Sequence, residues 1–163
     1  MKVIRLHQTG SPEVLQYEDA PDPTPAAGQA IVKTAAIGVN FADIYNRSGL
    51  YPNPMPYIPG MEAAGTVAAV GEGVSEVKVG DRVVFTGAAA GYAELVAVPA
   101  ARLIPIPPGI SDQTAAAVLL QGLTAHALAT GVYPLKAGDR TLMHAGAGGV
   151  GLLLIQIGKR LGA

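Results

Sequence analysis

A mixed α and β fold in two parts is predicted: a small β-barrel or sandwich, then one β–loop–α unit of the kind that opens a doubly wound parallel sheet. Three observations predict it. Short β-rich segments separated by Gly turns recur from Gly60 to Ile106, the spacing of an antiparallel barrel or sandwich. The pattern then changes near Ser111, where helix-start signals appear. Finally, the apolar run Thr141–Ala145 leads into a glycine-rich loop and an apolar segment ending at Leu161, which reads as strand, loop and helix.

In order, Lys2–His7 alternates apolar and polar residues, and Gln29–Val39 is β-rich and ends its strand at Gly38. Pro21, Pro23 and Pro25 stiffen the loop between them. Phe41–Arg47 has room for one or two helical turns. The proline cluster Pro52, Pro54, Pro56 and Pro59 then forces an irregular loop, since proline lacks the amide donor. Gly65–Val70, Arg82–Phe85, Tyr92–Val98 and Leu103–Ile106 are the next strands, with turns at Gly71-Glu72-Gly73 and Gly80-Asp81. Ser111-Asp112-Gln113 starts a helix over Thr114–Leu120, a second follows over Leu123–Gly131, and Gly162 stops a last helix over Gly151–Leu161.

Composition removes several classes. The 163 residues are 50% hydrophobic and 14% charged, too apolar for intrinsic disorder. The net charge is −1 and Lys159–Arg160 is the only adjacent basic pair, which argues against nucleic acid or a polybasic membrane contact. With no cysteine, a disulfide scaffold, a Cys-ligated metal site and a thiol nucleophile are all excluded within these residues. The N-terminus carries no signal-peptide apolar core, so a cytoplasmic location is the expectation. Gln113–Leu135 and Thr141–Gly158 lack Asp, Glu, Lys and Arg. Their Gln, Thr, His and Gly content favours buried elements over membrane spans, so no membrane insertion is expected.

Gly146-Ala147-Gly148-Gly149-Val150-Gly151 fits G-x-G-x-x-G. The first glycine permits a tight turn, the second admits a pyrophosphate to the backbone, and the third lets helix pack closely on strand. The helix N-terminus supplies amides and partial positive charge to the phosphates. The plainer reading is a small-residue loop packing a helix onto a sheet.

Further segments carry a resemblance. They are Gly10-Ser11-Pro12-Glu13-Val14-Leu15, Ile37-Gly38-Val39-Asn40-Phe41-Ala42-Asp43 and Arg47-Ser48-Gly49-Leu50-Tyr51-Pro52. Pro59-Gly60-Met61-Glu62-Ala63-Ala64-Gly65, Val79-Gly80-Asp81-Arg82-Val83, Gln121-Gly122-Leu123-Thr124-Ala125 and the stretch from His144 to Gly151 follow in order. Together they resemble the medium-chain dehydrogenase/reductase superfamily, and within it the zinc-independent NADPH:quinone oxidoreductase (zeta-crystallin-like) branch.

The resemblance implies a GroES-like partly open β-barrel as catalytic domain over residues 1–122. The start of an NADPH-binding Rossmann domain would follow over residues 123–163. It implies hydride transfer from NADPH to a small-molecule quinone, in a homodimer. In zinc-dependent relatives a Cys stands in place of Asn40 and a His in place of Met61. Both are replaced here, so no metal is expected. Asn40, Tyr45 and Tyr51 would line the nicotinamide and acceptor pocket. Thr124 would sit beside the nicotinamide ribose or carboxamide, and Gly146, Gly148, Gly149, Val150 and Gly151 would embrace the pyrophosphate.

Plainer readings stay open. Asn40 equally suits the cap of the Phe41 helix, Tyr45 a helix face and Tyr51 a cap on the proline loop. Glu62 reads as an ion-pair partner for Arg47 or Arg82, and His144 as a satisfied buried histidine. Two other functions compete: a zinc-independent enone or enoyl-thioester reductase, and a non-catalytic dinucleotide-binding or structural protein. A lone Thr141–Ala145 strand has no parallel neighbour in these residues. The expectation is therefore a fragment, or half of an assembly completed by another chain.

Overall fold

Lys2–Arg5 (β1) pairs antiparallel with Gln16–Asp19 (β2) in a two-stranded ribbon. A 3₁₀ turn over Pro12–Val14 brings the chain back. Arg5 and His7 both reach Glu18, at 2.5 and 3.0 Å, and these charges disguise β2 as loop in the sequence. The computed structural model describes residues 1–88 and 90–163.

The five-stranded sheet is antiparallel and open. Its strands are Gln29–Gly38 (β3), Glu62–Val70 (β4), Arg82–Thr86 (β5), Leu95–Pro99 (β6) and Ile104–Pro105 (β7), in the order β6-β3-β4-β5-β7. The helix Phe41–Ser48 (α1) connects β3 to β4. β4 starts three residues earlier than the sequence pattern indicates, because Glu62 pairs with both Gly38 and Thr86. Tyr92–Glu94 stays outside β6: there the backbone bonds to β1 and to Pro59, through Ile4 N–H to Tyr92 O and Tyr92 N–H to Pro59 O, each at 2.9 Å, and keeps one bond to β3, from Thr34 N–H to Glu94 O at 3.0 Å.

Val3, Val32, Val67, Phe85, Val96 and Val98 form the centre of the core, Phe85 being its largest fully buried apolar side chain. Each such side chain stabilises the fold by roughly 1.5–3 kcal/mol. With so few aromatics, the core is filled by β-branched valines that suit a pleated surface.

These strands belong to a compact unit over Met1–Ala116, and Ala117–Ala163 forms a second. A single helix, Asp112–Ala127 (α2), replaces the two expected around Gly122, and a π-helical turn over Leu128–Val132 extends it. A glycine in a helix interior costs only about 1 kcal/mol against alanine. The flanking Ala- and Leu-rich runs carry the helix through. At its start Asp112 holds Arg82 through Oδ1, at 2.7 Å from Nη2 and 3.1 Å from Nε.

Thr141–Met143 is unpaired and the chain turns at His144–Ala145. The expected strand forms no ladder among the described residues, since a parallel strand exists only beside a neighbour. Gly149–Leu161 (α3) follows, with Gly162 at φ 80° ending it in the left-handed conformation.

Asp112–Val132 is long and apolar enough to cross a membrane by length and composition, with mean hydropathy 1.4. The burial expected for the two uncharged stretches is largely missing. Only 17% of the most apolar window of that helix is buried, and Leu142 is 86% exposed. His144 is likewise exposed rather than buried.

Candidate active site

Helix α1 is built inside out. Its apolar residues Phe41 and Ile44 are exposed, whereas its buried residues are Asp43 and Asn46. Positions i and i+3 share one helix face, so the buried face is polar and needs partners. Asp43 Oδ2 accepts from the Asn40 N–H at 2.9 Å and from the Tyr92 hydroxyl at 3.1 Å. The first bond is the returning arm of a capping box. Asn46 Oδ1 accepts from Asn53 Nδ2 at 3.0 Å, and Asn46 Nδ2 lies 3.4 Å from the Tyr57 hydroxyl.

Asn40 caps α1 in extended conformation (φ −128°, ψ 156°) while its amide nitrogen donates to Glu62 Oε1 at 2.9 Å. Glu62 is 1% exposed. A carboxylate offers only acceptors, which turns the NH₂ end of the Asn40 amide toward it. Gly38 makes this possible: a Cβ there would lie 2.5 Å from the Glu62 carboxyl carbon. Arg82, one expected partner of Glu62, is taken by Asp112.

Tyr45 and Tyr51 meet edge to face at 5.3 Å between ring centroids, and the Tyr51 N–H donates to Tyr45 O at 3.1 Å. Phe41 extends the aromatic row, 6.4 Å from Tyr45. Tyr51, Asn46, Asn53, Tyr57 and Met61 line a cavity of about 300 Å³ beside it. The structure thus brings Tyr45 and Tyr51 together and puts Asn40 on the same helix. Sequence reasoning missed Asp43, Asn46, Asn53, Tyr57 and Tyr92. The one available signal was the placement of polar residues at helical spacing opposite Phe41 and Ile44.

Burial, then the Asp43 carboxylate, raises the Tyr92 phenol far above its usual range. The proton is held more tightly in the folded state. Its contribution to stability is therefore full below pH of about 10, the unfolded pKa, and is lost as pH rises above it. Tyr92→Phe should cost about 1–2 kcal/mol at pH 7 by leaving Asp43 short of a donor. Denaturation across pH 8–11 should show the wild-type advantage shrinking at the alkaline end; a constant gap would show that folding does not tighten the hold on the Tyr92 proton.

In the second unit, Thr124 lies on the exposed side of α2, its Oγ1 donating to Leu120 O at 2.8 Å. Ala145 enters the glycine loop at φ 52°, and the Gly148 N–H closes the turn on Ala145 O at 2.9 Å. Gly148 then caps α3. A Cβ there would press on one protein atom, Ala145 O at 3.2 Å, and on nothing else. Gly151 is the opposite case: a Cβ would lie 2.7 Å from Gly146 Cα and overlap Ala145 O. One glycine keeps the loop open outward, and the other lets the helix close on it. The first-turn N–H groups of α3 have no intrahelical acceptors, so the loop fits a pyrophosphate.

The comparisons with known proteins bear on this geometry. The model of the alcohol dehydrogenase GroES-like domain matches residues 26–108. The chain is 46% identical over 156 residues to a probable quinone oxidoreductase of Schizosaccharomyces pombe, covering 95% of this chain and 47% of that protein. The structure of Escherichia coli quinone oxidoreductase complexed with NADPH superposes with a TM-score of 0.97 at 44% identity. It covers all of this chain and 51% of that one. A mycobacterial protein complexed with NADPH superposes at 0.96 with 48% identity, covering 99% and 51%. The chain spans about half the length of the relatives it matches. It belongs to the family of the alcohol dehydrogenase GroES-like domain, in the quinone oxidoreductase branch of the medium-chain dehydrogenase/reductase superfamily.

Proposed function

We propose that this chain carries the catalytic domain, over residues 1–122, and the opening of the cofactor domain, over residues 123–163, of an NADPH-dependent quinone reductase. The observation that carries this reading is the exposed aromatic pair Tyr45–Tyr51 beside a buried polar network. A flat conjugated acceptor finds ring faces and edges there, and hydroxyl groups are at hand for an oxygen that gains negative charge. NADPH, when bound, supplies the hydride; the protein supplies orientation and electrostatics.

The residues of this chain divide that work. Asn40 is held by Glu62 at the edge of α1, and Tyr45 and Tyr51 offer hydroxyls to the acceptor. Thr124 stands for the nicotinamide side. Gly146, Gly148, Gly149, Val150 and Gly151 form the pyrophosphate loop, with Gly148 leaving the approach open. The exposed Leu142, Leu152 and Ile155 support a larger cofactor domain that covers them. A homodimer in the cytoplasm completes the reading.

The test is NADPH oxidation by the full-length protein with 1,4-benzoquinone, 9,10-phenanthrenequinone and an enoyl thioester. Quinones should be preferred, and preference for the thioester would overturn the assignment. Tyr45→Phe should lower kcat about tenfold or more with NADPH affinity unchanged, as expected when one hydroxyl acts on the acceptor. Unchanged kinetics would reduce Tyr45 to packing.

A further inference from the structure

Gly149 is not one of the three glycines that the phosphate fingerprint requires, yet a side chain there could enter only by displacing the Gln121 carboxamide. A Cβ at Gly149 would overlap Gln121 Oε1 and lie 2.9 Å from Gln121 Nε2. The carboxamide of Gln121 therefore rests on the bare Cα of the first residue of α3. One residue further along α2, a Cβ at Gly122 would stand 4.0 Å from Leu153 Cδ1. Two neighbouring positions of α2 thus face the first turns of α3, and at both the approach is made by a glycine. At Gly148, by contrast, a Cβ would touch no side chain, only Ala145 O at 3.2 Å.

We propose that Gln121 is a positioning residue for the cofactor loop, and that Gly149 is glycine to admit Gln121 rather than to admit phosphate. The carboxamide holds α2 against the start of α3 and so fixes where the first-turn amides point. Its neutrality matters at that place. A carboxylate of the same length would satisfy the positive end of α3 and compete with an incoming anion. The inference rests on the reading of Gly146–Gly151 as a pyrophosphate loop, which the experiment keeps separate.

The experiment is a double-mutant cycle in the full-length protein with Q121A, G149A and the pair, read by thermal midpoint without cofactor and by NADPH fluorescence titration. With Gln121 present, G149A should lower the midpoint by about 2–4 °C, because the carboxamide is expelled. In the Q121A background the same change should raise the midpoint by about 1–2 °C, since alanine forms helix better than glycine once its Cβ has space. For NADPH, Q121A and G149A should each weaken binding about three- to tenfold. The pair should bind no more weakly than the worse single variant, because both remove one contact.

Q121E keeps the reach and adds charge. It should raise the cofactor-free midpoint while weakening NADPH by about tenfold or more, an effect relieved by salt. A midpoint change for G149A that is the same in both backgrounds overturns the role of Gln121, as do affinity losses that multiply. Failure of the unmutated protein to bind NADPH would instead sink the function reading, while the midpoint cycle still decides how Gln121 and Gly149 interact.

Discussion

Replacing Gly65 by alanine is expected to destabilise the first unit by about 3–5 kcal/mol, a large part of the roughly 5–15 kcal/mol that holds such a protein together. The reason is backbone, not side chain. Gly65 lies in the middle of β4, opposite Thr34 of β3, where the pairing shifts so that Ala64 faces Ala36. Ala35 is the extra residue of a bulge, and bulges bend a strand and bring backbones close. A Cβ on Gly65 would overlap Lys33 O and lie 2.8 Å from Lys33 C and 3.0 Å from Thr34 Cα. No side chain can rotate away to relieve this, so the two central strands must separate.

Gly73 provides the control. It sits at φ 76° with open space around it, so alanine there meets only the left-handed backbone penalty of about 1–2 kcal/mol. Urea denaturation of G65A and G73A compares the two. Equal losses would mean that the close approach of β3 to β4 has been misjudged.

The second large effect is on ligand rather than fold. Gly148→Val should weaken NADPH binding by on the order of 100-fold while shifting the thermal midpoint by only about 2 °C. The backbone at Gly148 has φ −77° and ψ 166°, which valine adopts readily, and a Cβ there meets one protein atom, Ala145 O at 3.2 Å, which must give by a few tenths of an ångström. The branched side chain would project where phosphate must come. Gly151→Ala should behave in the opposite way. Its Cβ runs into Gly146 and Ala145, so the loop and helix part and stability falls with affinity. Titration of both variants against NADPH, beside their melting curves, separates the two roles. Unchanged affinity in G148V would remove the pyrophosphate from this loop.

The sequence made much of this legible. Strands β3, β4 and β5 announced themselves through β-branched runs bounded by Gly, and α3 through its glycine loop and its Gly162 stop. The absence of cysteine, read beside Asn40 and Met61, pointed to the branch of the superfamily in which the chain belongs. The motif resemblance singled out Tyr45 and Tyr51 as lining one pocket. Their edge-to-face contact was not legible, because ring orientation depends on how the proline loop returns.

Other features were hidden for physical reasons. Strand β2 carries Gln16, Glu18 and Asp19, whose polarity resembles a loop until the ribbon with β1 pairs their backbone. Helix α1 exposes its apolar face and buries Asp43 and Asn46, the reverse of the usual rule that hydrophobic residues go inside. That inversion rests on Tyr92, Asn53 and Tyr57, which bring hydrogen bonds to Asp43 Oδ2 and Asn46 from outside the helix.

Local pattern, then, determined most of the elements in the first unit and the last helix, because periodicity, capping and glycine geometry act over a few residues. Which glycine serves which neighbour was decided only by tertiary structure: Gly38 admits Glu62, Gly65 admits β3, Gly149 admits Gln121, and Gly148 is approached only by Ala145 O. A missing Cβ is a local fact, but what occupies the space is set by chain that lies far away in sequence.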